Sequence, residues 1–160
     1  MSALAVRPMC PDDIGRVVEL ANALPEAPHW RPEAYQAAIE PTSSPSRHAI
    51  VAERVGRVVG FAVTVVVAGE AELESIAVAV DAQRQGVGRL LLAHLTELAQ
   101  NENLTRMLLE VRASNARAIR LYQAAGWREC GCRKRYYADP EEDAVLMELP
   151  LPFAPQPRQL

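Results

Sequence analysis

Three places in this sequence hold residue types that fit their surroundings poorly unless they do chemistry. Glu110 interrupts the apolar run Met107-Leu108-Leu109-Val111 near the carboxyl end of a strand that must be largely buried. In open α/β sheets the crevices lie at such ends. A carboxylate there needs a partner, Arg112 or another arginine, or a task. Tyr122 falls four residues after Ala118 and three after Ile119, on the inward face of a helix, where a tyrosine is either a core residue with a satisfied hydroxyl or a proton donor. Third, Gln83-Arg84-Gln85-Gly86-Val87-Gly88-Arg89 runs directly into a helix with an apolar face of Leu91, Leu92, Leu95 and Leu98.

Glycines at a helix N-terminus leave backbone N–H groups without partners at the positive end of the dipole, so an anion can be held there by backbone alone. Two nucleotide motifs are excluded by what is missing. A P-loop requires a lysine and a Ser/Thr after its second glycine, and a dinucleotide fingerprint requires a third glycine where Leu91 stands. A packing role for the glycines is the plainer alternative. Arg84 and Arg89 flank the loop, and Arg112, Arg117, Arg120, Arg128, Arg133, Lys134 and Arg135 crowd the last third of the chain. They form either a solvated face or the surroundings of a polyanionic small ligand.

These residues need elements to position them. The chain has 160 residues, 49% hydrophobic and 23% charged, which suits one soluble globular domain with a sizeable core. A net charge of -3 argues against a general nucleic-acid surface. No apolar run is long enough for a membrane span and the first residues do not read as a signal peptide, so a cytoplasmic location is expected. Cys10, Cys130 and Cys132 lack zinc-site spacing and read as reduced, packed or incidental thiols, with no metal expected.

Pro11-Asp12-Asp13 opens a helix over "IGRVVELANAL", and "RPEAYQAAIE" forms a second short one. β-branched runs from His48 to Val80, broken at Gly56 and at Ala68-Gly69-Glu70, predict three antiparallel strands. A helix at about 87–100 follows, then the strand "RMLLEVR", the helix "SNARAIRLYQAAG", and strands near 127–137 and 143–149. Ser114 is the expected N-cap of that last helix and Gly126 its terminator. The fold class is therefore α/β with a mixed sheet: an antiparallel meander, then a parallel pair reached by a crossover. Residues 1–150 form a single domain and 151–160 a Pro-rich tail.

The pattern Gln83-x-x-Gly86-x-Gly88 at a strand-to-helix junction resembles the acetyl-CoA pyrophosphate loop of the GNAT acetyltransferase superfamily. "LEVRASNARAIRLYQAAGW", Leu109 to Trp127, closely resembles the RimI-type branch, the ribosomal-protein-alanine N-acetyltransferases, in which E-V-R-x-S-N-x-x-A-x-x-L-Y-x-x-x-G-F recurs. The likeness continues through "RKRYYADPEEDAVLMELPL" and covers about residues 4–150. Trp127 stands where the branch has Phe, and Arg135 where it often has Asn or Ser.

The resemblance implies the GNAT fold, with a splayed parallel pair at the cofactor site and helices on both faces. Acetyl-CoA would be the co-substrate, contacted by the backbone of Ile76, Ala77 and Val78, by Arg84, Gln85, Gly86, Val87, Gly88 and Arg89, and by Asn115. Glu110 would remove the amine proton, Tyr122 would protonate the departing thiolate, and a backbone N–H, that of Val78, would meet the oxyanion. The implied acceptor is a protein N-terminus, the N-terminal alanine of a small-subunit ribosomal protein, with no nucleic-acid or membrane partner and a monomeric enzyme. A carboxylate near pKa 4 suits an α-amine near about 8 better than a lysine near about 10.4. A lysine or small-molecule amine as acceptor, or a non-catalytic acyl-CoA-binding module, are the other readings. The acceptor would lie between "PEAPHWRPE", with Trp30, and the hairpin around Tyr136 and Tyr137. Glu72 and Glu74, on one strand parity, are either solvated charges or greet the amine.

Overall fold

The computed structural model describes residues 3–152; the tail expected beyond the domain lies, from residue 153 on, outside the described residues. Seven strands form one sheet in the order β1-β2-β3-β4-β5-β7-β6. They are β1 (Ala5–Pro8), β2 (Ser46–Arg54), β3 (Arg57–Val67), β4 (Glu70–Val78), β5 (Arg106–Arg112), β6 (Arg128–Tyr137) and β7 (Glu142–Pro150). The helices are α1 (Ile14–Asn22), α2 (Pro32–Ile39), α3 (Val87–Asn101) and α4 (Ala116–Ala124). No helix among the described residues is long and apolar enough to cross a membrane.

The β-branched runs pair as β2-β3-β4, an antiparallel meander. β5 joins β4 in parallel, and β7 lies antiparallel to both β5 and β6. The chain returns from β4 to β5 through α3, the crossover that a parallel pair requires. The four-residue β1 is an element that the sequence pattern does not predict. It is too short for alternation to show, and pairing with the edge of β2 sets its conformation.

The sheet separates two layers of helices, and β3 lies within it between β2 and β4. The alternation of β3 turns Phe61 toward α2, where the ring meets Tyr35 edge-on at a centroid distance of 5.7 Å. The preceding Gly60 faces the other way, onto Val87 and Leu91 of α3. Both layers are therefore apolar where they meet the sheet. Leu91, Leu92 and Leu95 are each at most 1% exposed, as the helical spacing predicts. Burial of each is worth about 1.5–3 kcal/mol.

At the amino end a clasp joins β1 to the turn before α1. Arg7 donates to both carboxylate oxygens of Asp13, at 2.7 and 2.9 Å, and to Glu53 at 3.2 Å. The Cys10 amide donates to Asp13 as well, at 2.8 Å.

Candidate active site

The site begins where β4 and β5 part. Their parallel register holds for three rungs only, Glu70 with Arg106, Ala71 with Met107 and Glu72 with Leu108. Directly beyond, the register of β4 against β3 shifts: Thr64 faces Leu73 while Val63 faces Ser75, so Glu74 is an extra residue. Such a bulge bends its strand and increases local twist, which carries the rest of β4 away from β5.

The backbone of the splayed segment is oriented by β3. The Ala79 amide donates to the Val59 carbonyl at 2.8 Å, so by alternation the amides of Ile76 and Val78 point away from β3 into the gap. Their side chains are half-buried, whereas Ala77 is buried. The Val78 carbonyl on the same edge accepts from Gln83 at 3.2 Å, and Arg117 donates to the Gln83 amide oxygen at 2.7 Å. Gln83 thus ties the glycine loop to the strand end and to α4.

Gly86 is the N-cap of α3, at a φ of 84°. An L side chain is strained there, and the space around an added Cβ is open. Gly88 has a different cause: a Cβ would stand 3.0 Å from Leu121 of α4, so it is a packing glycine between two helices. Val87 is buried, leaving only its backbone for a ligand. Gln85 does not line the cleft; its side chain turns to the Asp81 carbonyl and to Arg54.

α4 carries Tyr122 on its inner side, 6% exposed. The helix ends as a Schellman motif, in which the Trp127 amide donates to the Tyr122 carbonyl at 3.0 Å and the Gly126 amide to the Gln123 carbonyl at 3.0 Å. Trp127 supplies the motif's apolar contact, its ring 6.0 Å from that of Tyr122. The residue in the phenylalanine position of the RimI-type pattern therefore fixes the tyrosine. Burial, and secondarily Tyr137, pushes the Tyr122 phenol well above its ordinary value, so it carries its proton at neutral pH. At the other end of α4 the N-cap is Asn115, not Ser114: the Asn115 side chain accepts from the Ala118 amide at 3.2 Å. The Ser114 amide instead donates to Glu142.

Glu110 lies on the opposite face. Thr96 of α3 donates to the Met107 sulfur at 3.7 Å, which places Met107, Leu109 and Val111 on the α3 side and Leu108, Glu110 and Arg112 on the other. Glu72, paired with Leu108, shares that second face. The partner of Glu110 is Arg133 of β6, Nε to Oε1 at 3.3 Å, and not Arg112. Arg112 is taken by Glu142 at 3.4 Å and lies 4.3 Å from the centre of the Tyr137 ring. Contact with Glu110 raises the Tyr136 phenol. Glu74 is engaged by Arg47 at 2.9 Å, while Glu72 has no ion-pair partner among the described residues. Burial, then the charges of Glu110 and Glu74, holds Glu72 above the ordinary carboxylate range, with Arg133 opposing.

One cleft of about 980 Å³ runs through the sheet at the splay. It gathers Ile76, Ala77, Val78, Arg84, Gly86, Val87, Gly88, Arg89, Glu110, Asn115 and Tyr122, with Trp30, Tyr136 and Tyr137 at the α1–α2 side. Arg117 and Arg120, two of the arginines that crowd the last third of the chain, also line it, beyond the cofactor contacts that the resemblance implies. Their three-residue spacing on α4, one face of a helix beside Asn115, was the available signal. All three cysteines are exposed thiols rather than packed ones.

A mixed sheet that opens beside a glycine-capped helix is the architecture of an acyl-CoA-dependent N-acyltransferase. The chain belongs to the acetyltransferase (GNAT) family, whose profile matches residues 16–127. Within that family it is 48% identical over 98 residues to the ribosomal protein bS18-alanine N-acetyltransferase of Escherichia coli K12. That alignment covers 60% of this chain and 66% of the relative, just under two thirds of its length. A Bacillus subtilis chain whose name provisionally gives it the same activity is 33% identical over 143 residues, 89% of this chain and 93% of its own. The crystal structure of the Escherichia coli ribosomal-protein-S18-alanine N-acetyltransferase superposes with a TM-score of 0.81 at 31% identity, covering 99% of this chain and 100% of the other.

Proposed function

We propose that this protein transfers the acetyl group of acetyl-CoA to the N-terminal α-amine of a protein, the N-terminal alanine of ribosomal protein bS18 being the acceptor its relatives' names point to. The observation that carries the reading is the splay of β4 from β5, with inward-facing amides between a carboxylate and a protonated phenol.

Acetyl-CoA supplies the activated acyl group. Its pyrophosphate fits the mouth of α3, where Gly86 leaves room for an anion and Arg84 and Arg89 stand beside the first amides. Asn115 spends its side-chain oxygen on capping α4, which leaves its amide N–H groups for the cofactor.

Glu110 accepts a proton from the acceptor ammonium, freeing the nitrogen lone pair. The amine then forms a C–N bond to the thioester carbon. The developing oxyanion is met by the Val78 amide, a donor already oriented by β3 pairing. As the C–S bond breaks, Tyr122 gives its phenolic proton to the sulfur; the second proton lost from the nitrogen restores the phenol, and the one held by Glu110 passes to solvent. No free acetate is formed.

A panel of short peptides, read by mass spectrometry, tests the acceptor. Ala-initiated peptides should be acetylated at the α-amine, and equal acetylation of a matched N-blocked peptide containing lysine would refute the assignment. Glu110→Gln and Tyr122→Phe should each lower turnover by about 10²-fold or more, with CoA binding retained.

A further inference from the structure

The acceptor side of the cleft holds an unbalanced set of charges. Glu74 and Glu142 are neutralised by Arg47 and Arg112. That leaves three carboxylates, Glu26 on the α1–α2 loop with Glu72 and Glu110 on the sheet, and one cation, Arg133, which reaches Glu110 from β6, among the described residues at this end. The register fixes the closeness of the two on the sheet: Glu72 pairs with Leu108, and Glu110 is the next residue on that face of β5.

Arg133 is a poor structural anchor and a good movable one. Its side chain is 57% exposed, on an edge strand whose register against β7 breaks between Arg133 and Tyr137. The guanidinium carbon lies 5.5 Å from the centre of the Tyr136 ring, within the range at which an aromatic face attracts a cation. It therefore keeps an aromatic contact when it lets go of Glu110. A carboxylate held by a guanidinium has its lone pairs occupied, and an ammonium entering the same end competes for them.

We propose that Arg133 stands in for the acceptor ammonium: it holds Glu110 while no acceptor is bound, and yields it, remaining over Tyr136, when a cationic amine enters against Glu72. Glu72 is the landing carboxylate and Arg133 a positioning residue, and together they select acceptors that arrive as cations. The inference rests on the proposed acetyl transfer to an amine, and leaves the kind of amine open.

Steady-state kinetics with an Ala-initiated tetrapeptide test it, varying peptide and acetyl-CoA in turn. Arg133→Gln should lower the peptide KM about two- to fivefold, the worth of one part-exposed ion pair, with the acetyl-CoA KM unchanged. Arg133→Lys, which keeps the charge, should return it toward wild type. Glu72→Gln should raise the peptide KM about tenfold with the acetyl-CoA KM unchanged. An unchanged or raised peptide KM in Arg133→Gln overturns the proposal, as does an unchanged one in Glu72→Gln.

The comparison is made on whichever amine the wild-type enzyme acetylates, so that a lysine or polyamine acceptor refutes the α-amine assignment alone. If no amine is acetylated, the NMR signal of the Arg133 Nε–H is titrated with alaninamide. A saturating shift in wild type that is lost in Glu72→Gln supports the stand-in role, and an unmoved signal overturns it.

Discussion

Gly60→Ala, a single methyl group on β3, outside the cleft lining, should weaken acetyl-CoA binding through the buried sides of Val87 and Ala77. A Cβ at this position would stand 2.9 Å from Val87 Cγ1, 3.1 Å from the Ala77 carbonyl and 3.2 Å from Leu91 Cδ1. Carbon atoms pack at about 3.5–4.0 Å, so the closest contact is short by more than half an ångström. Neither neighbour has room to yield: Val87 is 1% exposed and Leu91 fully buried, and the carbonyl belongs to the adjoining strand. Overpacking of this kind costs about 1–3 kcal/mol, and the loss of unfolded-state freedom from Gly to Ala offsets about 0.4–1 kcal/mol. A net loss of about 1–2 kcal/mol lowers the Tm by roughly 3–8 °C in a chain of this size. Relief comes by lifting the first turn of α3 from the sheet, and that turn presents the amides proposed to hold the pyrophosphate. Calorimetry of acetyl-CoA binding should therefore show a several-fold weaker Kd alongside the lower Tm. An unchanged Tm with an unchanged Kd would refute the packing argument. A lower Tm with wild-type affinity would refute its link to the loop.

Gly86→Ala meets open space, so only the strain of a positive φ opposes it; a loss of about 1–2 kcal/mol in chemical denaturation is expected, and none would show that the loop relaxes freely. Asn115→Ala removes the cap of α4 and should cost about 1 kcal/mol by urea midpoint together with a weaker CoA Kd; loss of stability alone would limit Asn115 to capping. Arg7 holds Asp13 down at about 2 against an ordinary 3.8, so the clasp contributes about 2 kcal/mol that is present in full above pH about 4 and is lost as pH falls through about 2. Asp13→Asn should abolish that acid phase in urea melts taken from pH 5 to 2, and an identical acid limb in the variant would show that the clasp does not drive it.

Much of this site was legible in the sequence because its signals are local. Helical spacing turned Tyr122 inward, and it is buried. Glycines before a leucine-rich run marked a helix mouth, and Gly86 is its N-cap. A carboxylate inside the apolar run of β5 marked a crevice, and Glu110 lines one. Gly126 closed α4, as its position required. Each of these depends on residues within a few positions of one another, where periodicity and backbone stereochemistry act without the rest of the chain.

Partnership was decided elsewhere. The choice of Arg133 over Arg112 for Glu110 follows from β6 lying beyond β7, a strand order that no local pattern encodes. Asn115 rather than Ser114 caps α4, and the Ser114 amide is turned to Glu142, distant in the chain. Gly88 is small because of Leu121, and the extra residue Glu74 is visible only against β3. β1 exists because β2 offers it an edge. Sequence fixed which side chains could do chemistry and on which face of their own element they lie. Which of them meet, and which are already taken, depended on contacts between segments far apart in the chain, since an ion pair or a close approach is a property of two surfaces and only the packed sheet brings both together.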